Sequence, residues 1–372
     1  MARSEIVRSS GFSKATVQNT VDRLVTRRVV EAGGAAVEIK PGPRPMLYRA
    51  TPSAAFGVGV EIHRSGVAAE VLAVGNGALA RVSRPAQRHP EQTDVVDAIG
   101  AACAQAGVRG ADAAAVVVSV SGGVNPQTGA LLSWDLPEWH DDDLVSGLGA
   151  ALPVPVELEN ETNLWATAES ELGGMAQSAD FMLLTLSSET GVGGALVLDG
   201  AVRRGRVGLA GELGYLPLSP NSPRGELRSL LERDALCALA TDHGHDADDI
   251  VAVVRAAAGA EHDPLLAELA TRIAHALSAV LVTVDPGRFV LAGDLGLAGG
   301  DALAAAVRER LRPVFSSLRI DPPEVTVSAL PDQPVRRGLA AMVQRRLREF
   351  VLQQHNPPTQ AIHPNSRGRR SS

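Results

Sequence analysis

The sequence has little cysteine and no long apolar run. Cys103 and Cys237 are its two cysteines, and they fall in unrelated segments. This excludes a site with four thiolate ligands and gives no reason to expect a disulfide. No run approaches the roughly 18 apolar residues that a membrane span requires, and the first residues have no apolar signal-peptide core. We therefore expect a cytoplasmic protein without a membrane partner.

Apolar residues make up 45% of the chain and charged residues 21%, which predicts a globular protein. Its 372 residues exceed what one core usually serves and indicate two or three domains. The net charge is −7, but residues 1–50 hold nine Lys or Arg against four Asp or Glu. A basic segment on an acidic body favours one small phosphate-facing module, although a chance surplus in a short segment would look the same.

The basic segment reads as a short helix, a turn at Gly11 and a longer helix with Ser13 as its N-cap. Val17, Val21 and Leu24 form one apolar stripe on the second helix. The other side of this helix is typical of a DNA-recognition helix, because its side chains can bind base edges and phosphates. The predicted DNA-binding residues on it are Ser13, Lys14, Thr16, Gln18, Asn19 and Arg23. An ordinary amphipathic surface helix is the alternative.

Two short strand-like runs and a Gly-rich loop ending in PGPRP follow, as in the wing of a winged helix-turn-helix. Arg44, between two prolines, is placed to enter a minor groove, or else it is an arginine in a stiff linker. We predict a winged helix-turn-helix over residues 1–50 that lacks its usual first helix. Either the true start lies upstream, or the partial module packs on the body or on a second subunit.

From Phe56 onward, apolar strand-like runs alternate with helical stretches, which is typical of an α/β fold. A second set of strands and helices follows the first and predicts two similar halves. After Phe350 the sequence is polar and contains three prolines, so a disordered tail is expected over residues 351–372.

Four segments of the body resemble the ROK family in order and spacing. They read SGGVNPQTGALLSWDLPEW, ENETNLWATAE, SSETGVGGALVLDGAVRRG and GLAGELGY. The family, named for repressor, open reading frame and kinase, joins sugar kinases to repressors that carry a winged helix-turn-helix. The resemblance implies an actin-like ATPase fold with a two-lobed, sugar-kinase-like body over residues 51–350.

The kinase motifs of the family are altered here. The resemblance places Glu61–Ser65 at the family's phosphate loop, Asp-x-Gly-Gly-Thr, so both glycines and the acid are replaced. Asp294 replaces a glycine on the adenosine side. Glu161 stands where the family has its catalytic Asp, about one methylene out of place. We therefore expect no enzyme activity and no cofactor, with an ATP-dependent sugar kinase as the alternative.

The family's sugar contacts are partly present. Asn160, Glu161 and Glu212 match three of them, whereas Tyr215 replaces a histidine that binds sugar and zinc, and Arg228 replaces a sugar-binding glutamate. The zinc cysteines have no counterpart, so no metal is expected. An arginine fork suits a sugar phosphate or a sugar acid. Alternatively, Arg228 pairs with a neighbouring glutamate and the pocket has degenerated.

Together these features predict a DNA-binding transcriptional regulator, with repression of carbohydrate-related genes as the expected role. Its predicted partners are a double-stranded DNA operator and a sugar or sugar derivative. A homodimer or higher homo-oligomer is expected because paired half-sites multiply weak contacts. A decayed homologue that senses nothing is a further alternative.

Overall fold

The structure is a computed structural model, and it describes residues 1–35, 45–63, 65–75, 77–86, 90–132, 143–176, 178–217, 227–316 and 321–355. The helices in this part of the chain are α1 (Arg3–Ser10), α2 (Lys14–Thr26), α3 (Gln92–Ala106), α4 (Asp143–Ala151), α5 (Glu161–Leu172), α6 (Arg228–Leu231), α7 (Arg233–Asp242), α8 (Ile250–Gly259), α9 (Pro264–Val284), α10 (Gly293–Ser316) and α11 (Pro334–His355). The strands are β1 (Val30–Ala35), β2 (Met46–Ala50), β3 (Phe56–His63), β4 (Gly66–Ala73), β5 (Gly77–Pro85), β6 (Val116–Val120), β7 (Gly123–Val124), β8 (Leu131–Leu132), β9 (Val156–Asn160), β10 (Phe181–Ser187), β11 (Gly191–Leu198), β12 (Ala201–Val202), β13 (Arg288–Ala292) and β14 (Glu324–Val327).

The N-terminal segment contains the predicted helices and strands. Gly11 ends α1 with a φ of 71°, a left-handed conformation that glycine adopts at low cost. Ser13 caps α2 by accepting a hydrogen bond from the Thr16 backbone N–H at 3.1 Å. Val17 and Val21 are buried, and β1 pairs antiparallel with β2. Arg44 lies outside the described residues.

The body contains two sheets of the same topology among the residues described. The first has the strand order β5-β4-β3-β6-β9, and the second has the order β12-β11-β10-β13-β14. In each of these strand orders, the first two pairs of neighbouring strands are antiparallel and the last two pairs are parallel. The two similar halves expected from the sequence are therefore present; we call them the first lobe and the second lobe.

Each sheet is covered on both faces. One face of the first sheet packs on α3 and α4, and its other face packs on α11. One face of the second sheet packs on helices from α6 to α10, and α5 packs on the other. α5 and α11 contact each other closely, because a Cβ at Gly338 would lie 1.9 Å from the Leu164 carbonyl oxygen. α5, which begins at Glu161, thus lies in the middle of the body.

α9 is the one described helix that is long and apolar enough to cross a membrane. Its apolar side is buried in the second lobe, where Leu269, Ile273 and Leu277 are almost fully enclosed. α9 therefore packs as a core helix of a soluble fold does.

The predicted tail begins too early. α11 continues to His355, and Phe350 and Val351 pack against the apolar cluster that α11 shares with the first lobe. The prediction failed because the sequence around Phe350 and Val351 is mostly polar. Those polar residues lie on the exposed side of α11, while Phe350 and Val351 pack on its other side. Residues 356–372 lie outside the described part of the chain.

Candidate functional site

The site is built on the junction of β9 and α5. Asn160 caps α5: its side-chain oxygen accepts from the backbone N–H groups of Thr162 at 2.7 Å and Asn163 at 3.3 Å. Its amide nitrogen donates to the Gly122 carbonyl oxygen at 2.7 Å. These bonds fix Asn160 and place Glu161 as the first residue of the helix.

A small pocket of about 90 Å³ opens at this junction. The predicted sugar contacts, which are 68 positions apart in sequence at most, all line it: Asn160, Glu161, Glu212, Tyr215 and Arg228. Gly122, Thr185 and Thr190 also line this pocket. The structure thus brings together the five residues that the sequence proposed as ligand contacts.

Glu212 is a half-buried carboxyl group of this pocket. Burial raises the pKa of Glu212 above its ordinary value, and the positive charge of Arg228 offsets part of that rise. Arg228 therefore lies near enough to Glu212 to act on it electrostatically, and the two side chains give the pocket both signs of charge.

Two residues that sequence reasoning missed stand behind this pocket. Glu159 is buried and accepts hydrogen bonds from the Arg204 guanidinium, at 2.7 Å for Nε. It also accepts from the Asn163 side chain and the Asn160 backbone N–H. Glu159 directly precedes the Asn-Glu-Thr-Asn segment, but nothing local in the sequence indicates its partner 45 positions away.

A larger cavity of about 870 Å³ adjoins the small pocket. Ser121, Glu161, Thr190, Val192 and Arg228 line both, so Glu161 and Arg228 stand where the two spaces meet. The larger cavity extends to the turn after β3 and to the loop between β10 and β11. The turn after β3 is the region where the family resemblance places the phosphate loop.

The carboxyl group of Glu61, at the end of β3, is engaged by two side chains. His63 Nε2 lies 3.5 Å and Arg81 Nη2 lies 3.2 Å from its oxygens. Burial raises the pKa of Glu61, but the hydrogen bond to His63 and the charge of Arg81 outweigh it and leave this pKa below its ordinary value. The bond to Glu61 raises the pKa of His63, burial offsets part of the rise, and the charge of Glu161 adds to it. Arg64 lies outside the described residues.

Asp294 is also engaged within the protein. It accepts hydrogen bonds from the Ser188 hydroxyl and from the Ser188 backbone N–H, the latter at 2.9 Å. It accepts a third from the Leu295 backbone N–H at 2.8 Å, at the start of α10. Asp294 therefore connects α10 to the loop after β10 by hydrogen bonds that the family's glycine, which has no side chain, could not make.

The predicted DNA-facing residues of α2 and its cap are exposed: Ser13, Lys14, Thr16, Gln18, Asn19 and Arg23. Ser13 and Thr16 also contact each other through their hydroxyls at 2.8 Å. The sequence did not indicate that Arg3 pairs with Asp22 of α2 and lies 4.9 Å above the Tyr48 ring. These contacts fix α1 and α2 against β2.

The segment that resembles the family's zinc loop lies mostly outside the described residues. Arg228 is described and begins α6, whereas residues 218–226 are not. The absence of a zinc site therefore stays a prediction.

Comparison with known proteins gives a family match over most of the chain. The model of the ROK family matches residues 58–346. The bifunctional enzyme NanE/NanK of Brucella suis is 36% identical over 155 residues, covering 41% of this chain and 29% of that protein. The glucokinase of Streptomyces coelicolor is 30% identical over 164 residues, covering 44% of this chain and 50% of that protein. The chain thus spans at most half the length of these curated relatives.

Two solved structures have the same fold. A ROK hexokinase from Thermus thermophilus superposes with a TM-score of 0.63 and 26% identity, over 79% of this chain and 99% of that chain. A ROK family transcriptional regulator, a homologue of the E. coli MLC protein, superposes with a TM-score of 0.69 and 19% identity, over 95% of this chain and 94% of that chain. Both kinds of protein are structural neighbours, and the actin-like sugar-kinase fold expected from the sequence is present.

The prediction that the chain is not an enzyme is contradicted by these similarities. The relatives with 30% and 36% identity are named as enzymes, and so is the hexokinase of the same fold. Altered motif residues were given too much weight, since the match to the family model over residues 58–346 includes all of them.

Proposed function

Because the chain belongs to the ROK family, we propose that it binds a sugar or sugar derivative between its lobes and binds operator DNA through its N-terminal helices. In this proposal it regulates the transcription of carbohydrate-related genes, with repression as its role. The observation that carries the proposal is the small pocket, which Asn160, Glu161 and Glu212 all line.

The chemistry of the pocket suits vicinal hydroxyl groups. Glu161 and Glu212 offer oxygens that accept hydrogen bonds from them, and Arg228 offers donors. A buried carboxyl group with few donors around it has a raised pKa, as Glu212 does, and a bound hydroxyl would supply a donor to its charged form. The small pocket has a volume of about 90 Å³. One sugar ring would fill it together with the mouth of the larger cavity.

Support for DNA binding comes from the N-terminal segment. The exposed side of α2 carries Lys14, Gln18, Asn19 and Arg23, side chains that bind base edges and phosphates. The transcriptional regulator aligns over 95% of this chain and the hexokinase over 79%, which is consistent with a DNA-binding domain over residues 1–50 ahead of a sugar-binding body over residues 51–350. A homodimer would present two such domains to paired half-sites.

The first experiment is a calorimetric titration with glucose, N-acetylmannosamine, glucose 6-phosphate and gluconate. We expect saturable one-site binding of at least one of them. Fluorescence anisotropy with DNA from the chain's own upstream region would then measure duplex binding with and without that sugar. Binding that ignores both the sugar and the DNA sequence would contradict the regulator and favour a homologue that senses nothing.

Arg23→Ala tests the DNA surface. Loss of one arginine contact costs about 1–3 kcal/mol where it reads a base and lowers the salt dependence where it binds a phosphate. The matched control is Arg109→Ala, because Arg109 is an exposed arginine that pairs with Asp112 in the first lobe. Equal DNA affinity of the two variants would contradict the placement of DNA on α2.

Sugar phosphorylation is the second candidate function, and the position of Glu161 favours it. This carboxyl group lines both the small pocket and the larger cavity, so it could take a proton from a sugar hydroxyl while a phosphoryl group arrives from the other side. A coupled assay with ATP, magnesium and glucose or N-acetylmannosamine measures this activity. Sugar phosphorylation would be established if the wild type shows turnover, Glu161→Ala abolishes it, and the control variant Glu171→Ala on the same helix retains it.

A further inference from the structure

We propose that Glu159 and Arg204 are positioning residues that hold the two lobes together beside the small pocket and thereby set how long a sugar stays bound. The effect on a sugar rests on the proposed function; the effect on the contact between the lobes does not. Neither side chain lines the pocket, so both act through residues that do.

The pair joins the two sheets at their edges. Glu159 lies in β9, the edge strand of the first sheet, and Arg204 follows β12, an edge strand of the second. The Glu159 side chain is 2% exposed and that of Arg204 is 32% exposed. Both guanidinium N–H groups that reach Glu159 bind the same oxygen, Oε2. A charge pair with one member so deeply buried is costly to break from one side.

The other oxygen of Glu159 acts on the sugar site. Oε1 accepts from the Asn163 side-chain amide at 2.9 Å and from the Asn160 backbone N–H at 3.0 Å. These two bonds fix the end of β9 and the first turn of α5, the segment that carries Glu161. One carboxylate therefore holds the start of α5 with one oxygen and the second lobe with the other.

Arg204 begins a loop that crosses back to the first lobe and ends in the pocket. At Gly208, with a φ of +90°, a Cβ would lie 2.3 Å from the Val124 carbonyl oxygen, so only glycine permits this approach. Leu209 and Glu212 follow and line the pocket. Glu159 thus holds the segment with Glu161, and Arg204 begins the loop with Glu212; both segments line the pocket.

The first experiment measures amide hydrogen exchange in the protein without sugar. We expect Arg204→Met to speed exchange in residues 203–212 and 122–124, with little change in α9. Because a lone buried Glu159 could unfold the chain, the double variant Glu159→Gln with Arg204→Met, which buries no unpaired charge, is measured beside it. The control is Arg203→Met, since Arg203 pairs with Asp199, whose side chain is 86% exposed. Exchange in the Arg204 variants equal to that of the control would overturn the proposal.

The second experiment measures binding kinetics with glucose and N-acetylmannosamine on the full chain. We expect the double variant to release the sugar about tenfold faster with an association rate within about twofold of the wild type, since lost contacts act mainly on dissociation. Arg204→Lys, which keeps the charge but not the two-pronged contact, should fall between them. Loss that appears only in the association rate would overturn the proposal. If the wild type binds neither sugar, the proposed function fails for these sugars, and the exchange result alone decides the role of the pair.

Discussion

The two sides of the cleft differ in what their acidic side chains contact. On the sugar side, Glu161 and Glu212 line the small pocket. On the side where the family resemblance places the nucleotide, Glu61 at the phosphate-loop position contacts His63 and Arg81, and Asp294 at the adenosine-side position contacts Ser188. Glu61 and Asp294, which differ from the family's nucleotide-side motifs, thus have partners within the protein. The effect of a changed motif residue on a site therefore depends on the side chains that it contacts.

The contacts of Glu61 extend further than its own strand. Arg81 also lies 4.0 Å from Glu70, and Glu70 binds Arg336 of α11 through two bonds of 3.0 and 2.5 Å. A row of alternating charges therefore runs from the larger cavity to α11. A comparable buried charge pair, Glu159 and Arg204, lies beside the small pocket.

The largest expected effect is on the sugar side. Glu212→Gln removes a charged acceptor from an enclosed pocket, and hydrogen bonds to charged groups contribute about 1.5–3 kcal/mol. We expect sugar affinity to fall about 10-fold to 100-fold in a calorimetric titration. Glu268→Gln is the control, because Glu268 is a half-exposed glutamate of α9 that pairs with Arg272 and lies outside the pocket lining. An unchanged affinity would remove the distinction between the two sides.

A smaller effect is expected on the other side of the cleft. The double variant His63→Gly and Asp294→Gly removes a side chain from the region assigned to phosphates, where free backbone N–H groups favour anions, and a negative charge from the position assigned to the adenosine side. We expect the affinity for magnesium-bound ATP to rise about fivefold, equivalent to ~1 kcal/mol. Equilibrium titration with ATP measures it, with the wild type as reference. An affinity that stays the same or falls would show that these residues do not limit nucleotide binding.

The smallest expected effect is the pH dependence of stability. The pKa of His63 is raised, so its contribution is present below the ordinary histidine value and is lost as pH rises through the raised value. The pKa of Glu61 is lowered, so its contribution is present above the ordinary carboxyl value and is lost as pH falls through the lowered value. Between these limits the wild type should melt about 1 °C above His63→Gln, because half-exposed pairs contribute little.

Thermal unfolding followed by circular dichroism from pH 4 to pH 9 checks this prediction. The difference in Tm should be largest near pH 6 and should close toward pH 9. His275→Gln, an exposed histidine of α9, should show no such trend. A difference that grows with rising pH would contradict the ion pair between His63 and Glu61.

The sequence predicted those features that local chemistry determines. Ser13 as an N-cap, the buried stripe of Val17 and Val21, and the alternation of strands and helices follow from hydrogen bonding and periodicity over a few residues. The predicted ligand contacts came from the family resemblance, and the five residues line one pocket. The Arg204–Glu159 and Arg336–Glu70 pairs were not predictable, because their partners are 45 and 266 positions apart and no periodic pattern connects them.

The position of α11 has a consequence for how the chain is made. The first sheet is formed by residues before 161, yet one of its faces is covered by α11, which begins at Pro334. Its apolar face stays open while the whole second lobe is synthesised, a period of about ten seconds or more at 5–20 residues per second. The second lobe has a complete helical side within residues 227–316 and can collapse first. During translation, the half that is synthesised first is thus the half that finishes folding last.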